Sequence, residues 1–106
     1  MKDIMGMMKA ASEMKSKMEA VQAELADIIV DGRSGGGMVV VSLNGRGEMK
    51  GIKIDPGLTK DDVEVLEDLI VAAFTDAKAK SEAEMQRKMA EVTSGLPLPP
   101  GMKLPF

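Results

Sequence analysis

Gly35-Gly36-Gly37-Met38-Val39-Val40-Val41-Ser42-Leu43-Asn44-Gly45-Arg46-Gly47-Glu48-Met49-Lys50-Gly51-Ile52-Lys53-Ile54-Asp55 is the stretch whose reading decides the fold. Residues 38–43 form an apolar run of strand length around three consecutive valines, whose branched Cβ suits a pleated surface better than a helix. Asn44-Gly45 then supplies residues that tolerate positive φ, and Gly47 follows. In the second run, residues 48–55, Ile52 and Ile54 share a face with Lys50, and Lys53 points the other way, an imperfect alternation. Together these features predict a hairpin with one buried and one partly wet face.

On the N-terminal side, apolar residues fall at Ile4, Met7, Ala11, Met14, Met18, Val21, Leu25 and Ile28, alternating steps of three and four. That spacing predicts a long helix with a coiled-coil-like seam. A helix over residues 3–26 is about 35 Å long at 1.5 Å per residue. A compact chain of this length has a radius of gyration near about 13 Å, so the N-terminal end of such a helix projects. Ile28-Ile29-Val30 breaks the helical pattern, and with Asp31-Gly32 it predicts a first strand over residues 27–32. The glycine-rich link of residues 33–37 lacks the G-x-x-x-x-G-K-[ST] spacing of a phosphate-binding loop, and a strand rather than a helix follows it. It is read as a connection between strands.

On the C-terminal side, Pro56-Gly57 ends the hairpin, and Thr59 with Asp62 three residues later resembles a capping box. A second helix is expected over residues 60–92, about 50 Å long. Val63, Leu66, Leu69, Ile70, Ala73, Phe74 and Ala77 give its first half a wide apolar stripe. Beyond Ala77 the helix is largely polar, which predicts an arm extending from the body. Residues 1–94 are thus one domain, and residues 95–106 are an extended, Pro-rich tail, either loose or strapped across the arms.

Composition narrows the function. The 106 residues include no cysteine and no histidine, which removes disulfide frameworks, thiolate nucleophiles, the usual zinc ligands and imidazole acid/base catalysis. No enzymatic activity, cofactor, metal or small-molecule substrate is expected. Neither a signal peptide nor a run of membrane-spanning length is visible, so a cytoplasmic protein without a membrane role is expected. The formal net charge of −3 is unevenly placed. Residues 61–77 carry −6, residues 32–60 carry +3 and residues 78–106 carry +2. The acids at the start of the second helix suit the positive end of its dipole, and the bases in its later turns suit the negative end.

The order helix, three strands, helix, with Gly-Gly-Gly-Met-Val-Val-Val at residues 35–41, Ile52-Lys53-Ile54-Asp55-Pro56, and Leu66-Glu67-Asp68-Leu69-Ile70-Val71-Ala72-Ala73, resembles the YbaB/EbfC family of bacterial nucleoid-associated proteins. The closing Pro-Leu-Pro-Pro-Gly-Met-Lys-Leu-Pro-Phe is similar to the tail of relatives, and the match spans nearly the whole chain. The resemblance implies an α+β fold, a tweezer-like homodimer and DNA binding in the nucleoid. Val40 departs from it, standing where relatives often carry lysine, and so does the acidic balance of the chain.

On this reading the arms grip duplex DNA through phosphate contacts from Lys9, Lys15 and Lys17 on the first helix and Lys78, Lys80, Arg87 and Lys88 on the second. Val39, Val41, Ile52 and Ile54, with Leu66, Leu69 and Ile70, form the core of the dimer body. The absence of Tyr and Trp disfavours stacking on unpaired bases. The competing reading is a protein-interaction adaptor, since eleven methionines, several of them near the N-terminus, make adaptable apolar surface.

Overall fold

The structure is a computed structural model and describes residues 2–60 and 62–94. The expected tail, residues 95–106, lies outside the described residues. Helix α1 (Lys2–Asp27) leads into strand β1 (Ile29–Ser34), a 3-10 turn (Gly35–Gly37), β2 (Val39–Asn44), β3 (Met49–Ile54), a second 3-10 turn (Pro56–Lys60) and helix α2 (Val63–Ser94). The strands form one antiparallel sheet in the order β1-β2-β3. The fold is α+β, as expected, with two long helices around a three-stranded sheet.

Strand β1 lies two residues later than expected, and Gly32 is the reason it does. Asp31-Gly32 reads as a strand end, yet Gly32 sits in mid-strand, opposite Val41, where α2 presses closest. A Cβ there would fall 2.1 Å from the Ala73 carbonyl oxygen and 2.2 Å from the Ala77 nitrogen, so only glycine permits this contact. The link to β2 turns on Gly35, Gly36 and Gly37, all at positive φ.

In the hairpin turn only Gly47 takes positive φ; Asn44 and Gly45 do not. Gly45 is needed for another reason, since a Cβ on it would meet the Leu25 side chain at 2.7 Å and the Leu25 carbonyl oxygen at 2.9 Å. The imperfect alternation of the second run is resolved by a bulge. Leu43 faces Met49 and Ser42 faces Gly51, which leaves Lys50 as the extra residue.

Helix α2 begins at Val63, later than expected, because Pro56–Lys60 forms its own 3-10 turn. Asp62 caps it: its carboxylate accepts from the Glu64 N–H at 3.0 Å.

Two apolar clusters divide the molecule. Val39, Val41 and Leu43 pack with Leu58, Ala73 and Ala77, flanked by Val30, Ile54, Leu66, Leu69 and Ile70. Farther along, Val21, Leu25 and Val92 pack with Met14, Met18, Ile28, Met85 and Met89. Each fully buried Val or Leu contributes about 1.5–3 kcal/mol. The first half of α2 therefore covers the sheet, and its second half is covered by α1. Leu25 and Ser81 both meet the hairpin turn, and α2 then runs on to Val92 while α1 runs back to Met14. The two helices are antiparallel and make one two-helix arm, which accounts for a molecule measuring 71 × 25 × 16 Å. The seam works from Met14 onward, whereas Ile4 and Met7 are exposed.

Candidate nucleic-acid interface

The arm and the hairpin carry most of the basic side chains, and ion pairing sorts them. On α1, Lys9, Lys15 and Lys17 are exposed and make no ion pair with any described residue. On α2 only Lys78 is in the same condition. Lys80 Nζ lies 3.2 Å from the Asp76 carboxylate and donates to the Asp31 carbonyl at 2.7 Å. Arg87 is gripped by Glu84 at 2.7 Å and Glu91 at 3.1 Å, and the Glu84 hydrogen bond is the main cause of its raised pKa. Lys88 is 18% exposed and sits 3.1 Å from Glu24 and 3.8 Å from Glu91. The structure thus brings Lys80, Arg87 and Lys88 to acids of their own chain. Exposed pairs of this kind are worth about 0–1 kcal/mol, so a phosphate can compete for Lys80 and Arg87 at small cost.

The hairpin and the 3-10 turn after it hold cations outside the expected set. Arg46, Lys50, Lys53 and Lys60 are exposed and form no ion pair among the described residues. The +3 balance of residues 32–60 was their signal in the sequence. Arg33, Val40 and Lys53 stand in one cross-strand row, so Val40 places an apolar residue between two basic ones on the solvent face.

The turn carrying Arg46 is rigid. Asn44 is buried; its side-chain oxygen accepts from the Arg46 and Glu48 N–H groups, each at 3.0 Å, and its amide donates to Glu48 Oε1 at 2.7 Å. That last bond, then the charge of Arg46, holds the Glu48 carboxyl below its usual range. Gly45 N–H donates to the Leu25 carbonyl at 2.8 Å and the Ile28 carbonyl at 3.0 Å, which ties the turn to the end of α1.

The expected dimer-core residues fall into three conditions. Val39 and Val41 are fully buried within the single chain. Leu66, Leu69, Ile70 and Ile54 are partly buried against them. Ile52 is 40% exposed, although it lies opposite Val41 on the same face of the sheet. Helix α2 lies over β1 and β2 and leaves β3 beyond its edge.

An open depression of about 600 Å³ is lined by Val30, Asp31, Arg33, Lys80, Ala83 and Glu84, and its charges are of both signs. Among the described residues no group of three or more acids could hold a metal, and no helix is long and apolar enough to cross a membrane.

Comparison with known proteins settles the family. The model of the YbaB/EbfC DNA-binding family matches residues 1–96. The chain belongs to the YbaB/EbfC DNA-binding family. Proteins named as nucleoid-associated from Agrobacterium fabrum and Rhizobium meliloti are 66% and 62% identical to it, each over 100% of both chains. A third, from Gluconobacter oxydans, is 57% identical over the same span. Among solved structures, that of an uncharacterised protein from Helicobacter pylori superposes with a TM-score of 0.74 at 29% identity, over 84% of this chain and 94% of that one. Within this family frame, the exposed cations of α1 and of the hairpin, residues 39–54, are the surfaces to weigh for DNA.

Proposed function

We propose that this YbaB/EbfC family member is a nucleoid-associated protein that binds duplex DNA as a homodimer, mainly through phosphate contacts from its two-helix arms, and is not an enzyme. The names of its relatives support the nucleoid assignment. The observation that carries the phosphate reading is the set Lys9, Lys15 and Lys17: exposed ammonium groups spread around a projecting helix, with no carboxylate of the described chain paired to them. Such groups neutralise phosphates without reading bases, and no Tyr or Trp is present to stack on unpaired ones. Localisation to the cytoplasmic nucleoid follows from that role.

A second copy of the chain is the partner that the uncovered face of β3 suits. Met49 and Ile52 are exposed there, Ile54 is half-buried, and Val63, Val71 and Phe74 of α2 are exposed as well. An edge strand with an apolar face is a surface that a protein this small gains by covering.

The test is duplex binding by the full chain across a salt series. Affinity of about 10⁻⁴ to 10⁻⁶ M at physiological salt, falling steeply as salt rises, is the expected result. Affinity that stays level from roughly 50 to 200 mM salt overturns the phosphate mechanism.

The adaptor reading retains one observation in its favour, since Ile4, Met5, Met7 and Met8 are all exposed. Capture from a nuclease-treated lysate separates the two: an adaptor keeps its protein partner, and a DNA binder loses what it held through nucleic acid.

A further inference from the structure

The ion pairing described above moves free positive charge away from the outer half of α2 and leaves it at the base of the arm. Three elements meet there. Ser81 of α2 donates through Oγ to the Asn44 carbonyl at 2.9 Å, and Gly45 N–H reaches the end of α1. Lys78, one turn before Ser81, brings its ammonium against the turn, where a Cβ on Gly47 would lie 3.2 Å from Nζ. Arg46 projects from the same turn, and Lys50 follows at the bulge. All three basic side chains are exposed, and none is paired with a described carboxylate.

The acid among them is Glu48, and its Oε1 is occupied by the Asn44 amide at 2.7 Å. Glu82 stands one helical turn after Lys78 and makes no ion pair with it. The balance of Arg46, Lys50 and Lys78 against Glu48 is positive. The backbone presenting it is held by hydrogen bonds from Asn44, Gly45 and Ser81, so little order has to be imposed when an anion arrives.

We propose that the β2–β3 turn, through Arg46 and Lys50 together with Lys78 of α2, is a second contact for the sugar-phosphate backbone of duplex DNA, at the base of the arm. The inference rests on the duplex-binding reading above and adds a site to it. A duplex held along α1 by Lys9, Lys15 and Lys17 then has a second, stiffer point of contact, which limits its rocking against the arm.

The test measures binding of the full chain to a fluorescent duplex of mixed sequence, over a salt series, for wild type and four variants. Arg46→Gln/Lys78→Gln removes two positive charges from the site and lowers affinity about tenfold, with the salt slope shallower by roughly two. Lys60→Glu changes net charge equally, far from the turn, and alters affinity by less than about twofold. Glu48→Gln keeps an acceptor for the Asn44 amide, removes the opposing charge and tightens binding. Glu67→Gln, the matching change on an exposed face of α2, leaves it unaltered. A gain of affinity in Glu48→Gln is a result that misfolding does not produce.

The site is overturned if Arg46→Gln/Lys78→Gln keeps the wild-type salt slope, or if it and Lys60→Glu weaken binding alike. Wild type that binds with no salt dependence overturns the phosphate reading itself, which distinguishes the two failures.

Discussion

Ser81 Oγ donates a 2.9 Å hydrogen bond to the main-chain carbonyl of Asn44, and both residues are almost wholly removed from solvent. The bond pins the middle of α2 to the hairpin turn, at the boundary between body and arm. Ser81→Ala removes one of the bonds to that buried carbonyl, which keeps the Gly47 N–H at 3.0 Å, and is expected to cost about 0.5–1.5 kcal/mol. Chemical denaturation should show a lower midpoint with an unchanged slope; an unmoved midpoint contradicts the role given to this bond.

Asn44 organises the turn from inside. Asn44→Ala frees the Arg46 and Glu48 N–H groups and the Glu48 carboxylate together. A loss of about 2–3 kcal/mol is expected, with faster hydrogen exchange at Arg46 and Glu48 than elsewhere in the sheet. Exchange that stays slow at both amides contradicts it.

Gly32→Ala tests the closest approach of strand and helix. The new methyl meets main-chain atoms of Ala73 and Ala77 at 2.1 and 2.2 Å, and backbone cannot swing aside as a flexible side chain would. The cost is expected to exceed the roughly 1–3 kcal/mol of ordinary overpacking. Thermal unfolding of this variant beside Gly6→Ala, a site with nothing within 4 Å, supplies the contrast.

Asp76 makes stability depend on acid pH. The Arg33 N–H, donating at 3.1 Å, and then Lys80 hold its carboxyl below the ordinary value of 3.8. Because the folded pKa is the lower one, the unfolded chain takes up this proton first as pH falls. The contribution is therefore full well above pH 3.8, begins to fade near that value, and is gone below the folded pKa. Melting temperature measured from about pH 5 downward should fall less steeply in Asp76→Asn than in wild type. Parallel profiles would remove Asp76 from the acid response.

Ile52 lies opposite buried Val41 yet is 40% exposed on the uncovered face of β3. Ile52→Glu is expected to shift the sedimenting mass toward the monomer while leaving the helical circular-dichroism signal intact. A dimeric Ile52→Glu places the contact between copies elsewhere.

Period and punctuation in the sequence determined the elements themselves. The three-four spacing from Ile4 to Ile28 specifies a helix, the valines around Val40 specify a strand, and Pro56-Gly57 closes the hairpin, because each expresses a local steric preference. The family was also legible, through Gly35-Gly36-Gly37 and the Leu66–Ala73 pattern. Local chemistry placed boundaries less well. Gly32 reads as a turn residue, and only the approach of Ala73 and Ala77 shows why a strand carries glycine there.

Which lysines are free was decided by tertiary structure. Lys88 is paired with Glu24, 64 positions earlier in the chain, and Lys80 donates to the carbonyl of Asp31, so no local pattern announces either contact. Lys78 and Gly47 are likewise distant in sequence, and the Lys78 ammonium reaches the turn because Ser81 and Asn44 hold helix and turn together. The sequence by itself determined how many charges the chain carries and on which elements. Helical spacing sets the pairs of Lys80 with Asp76 and of Arg87 with Glu84 and Glu91, whereas packing alone brought Lys88 to Glu24, since Coulomb energy depends on separation in space rather than along the chain.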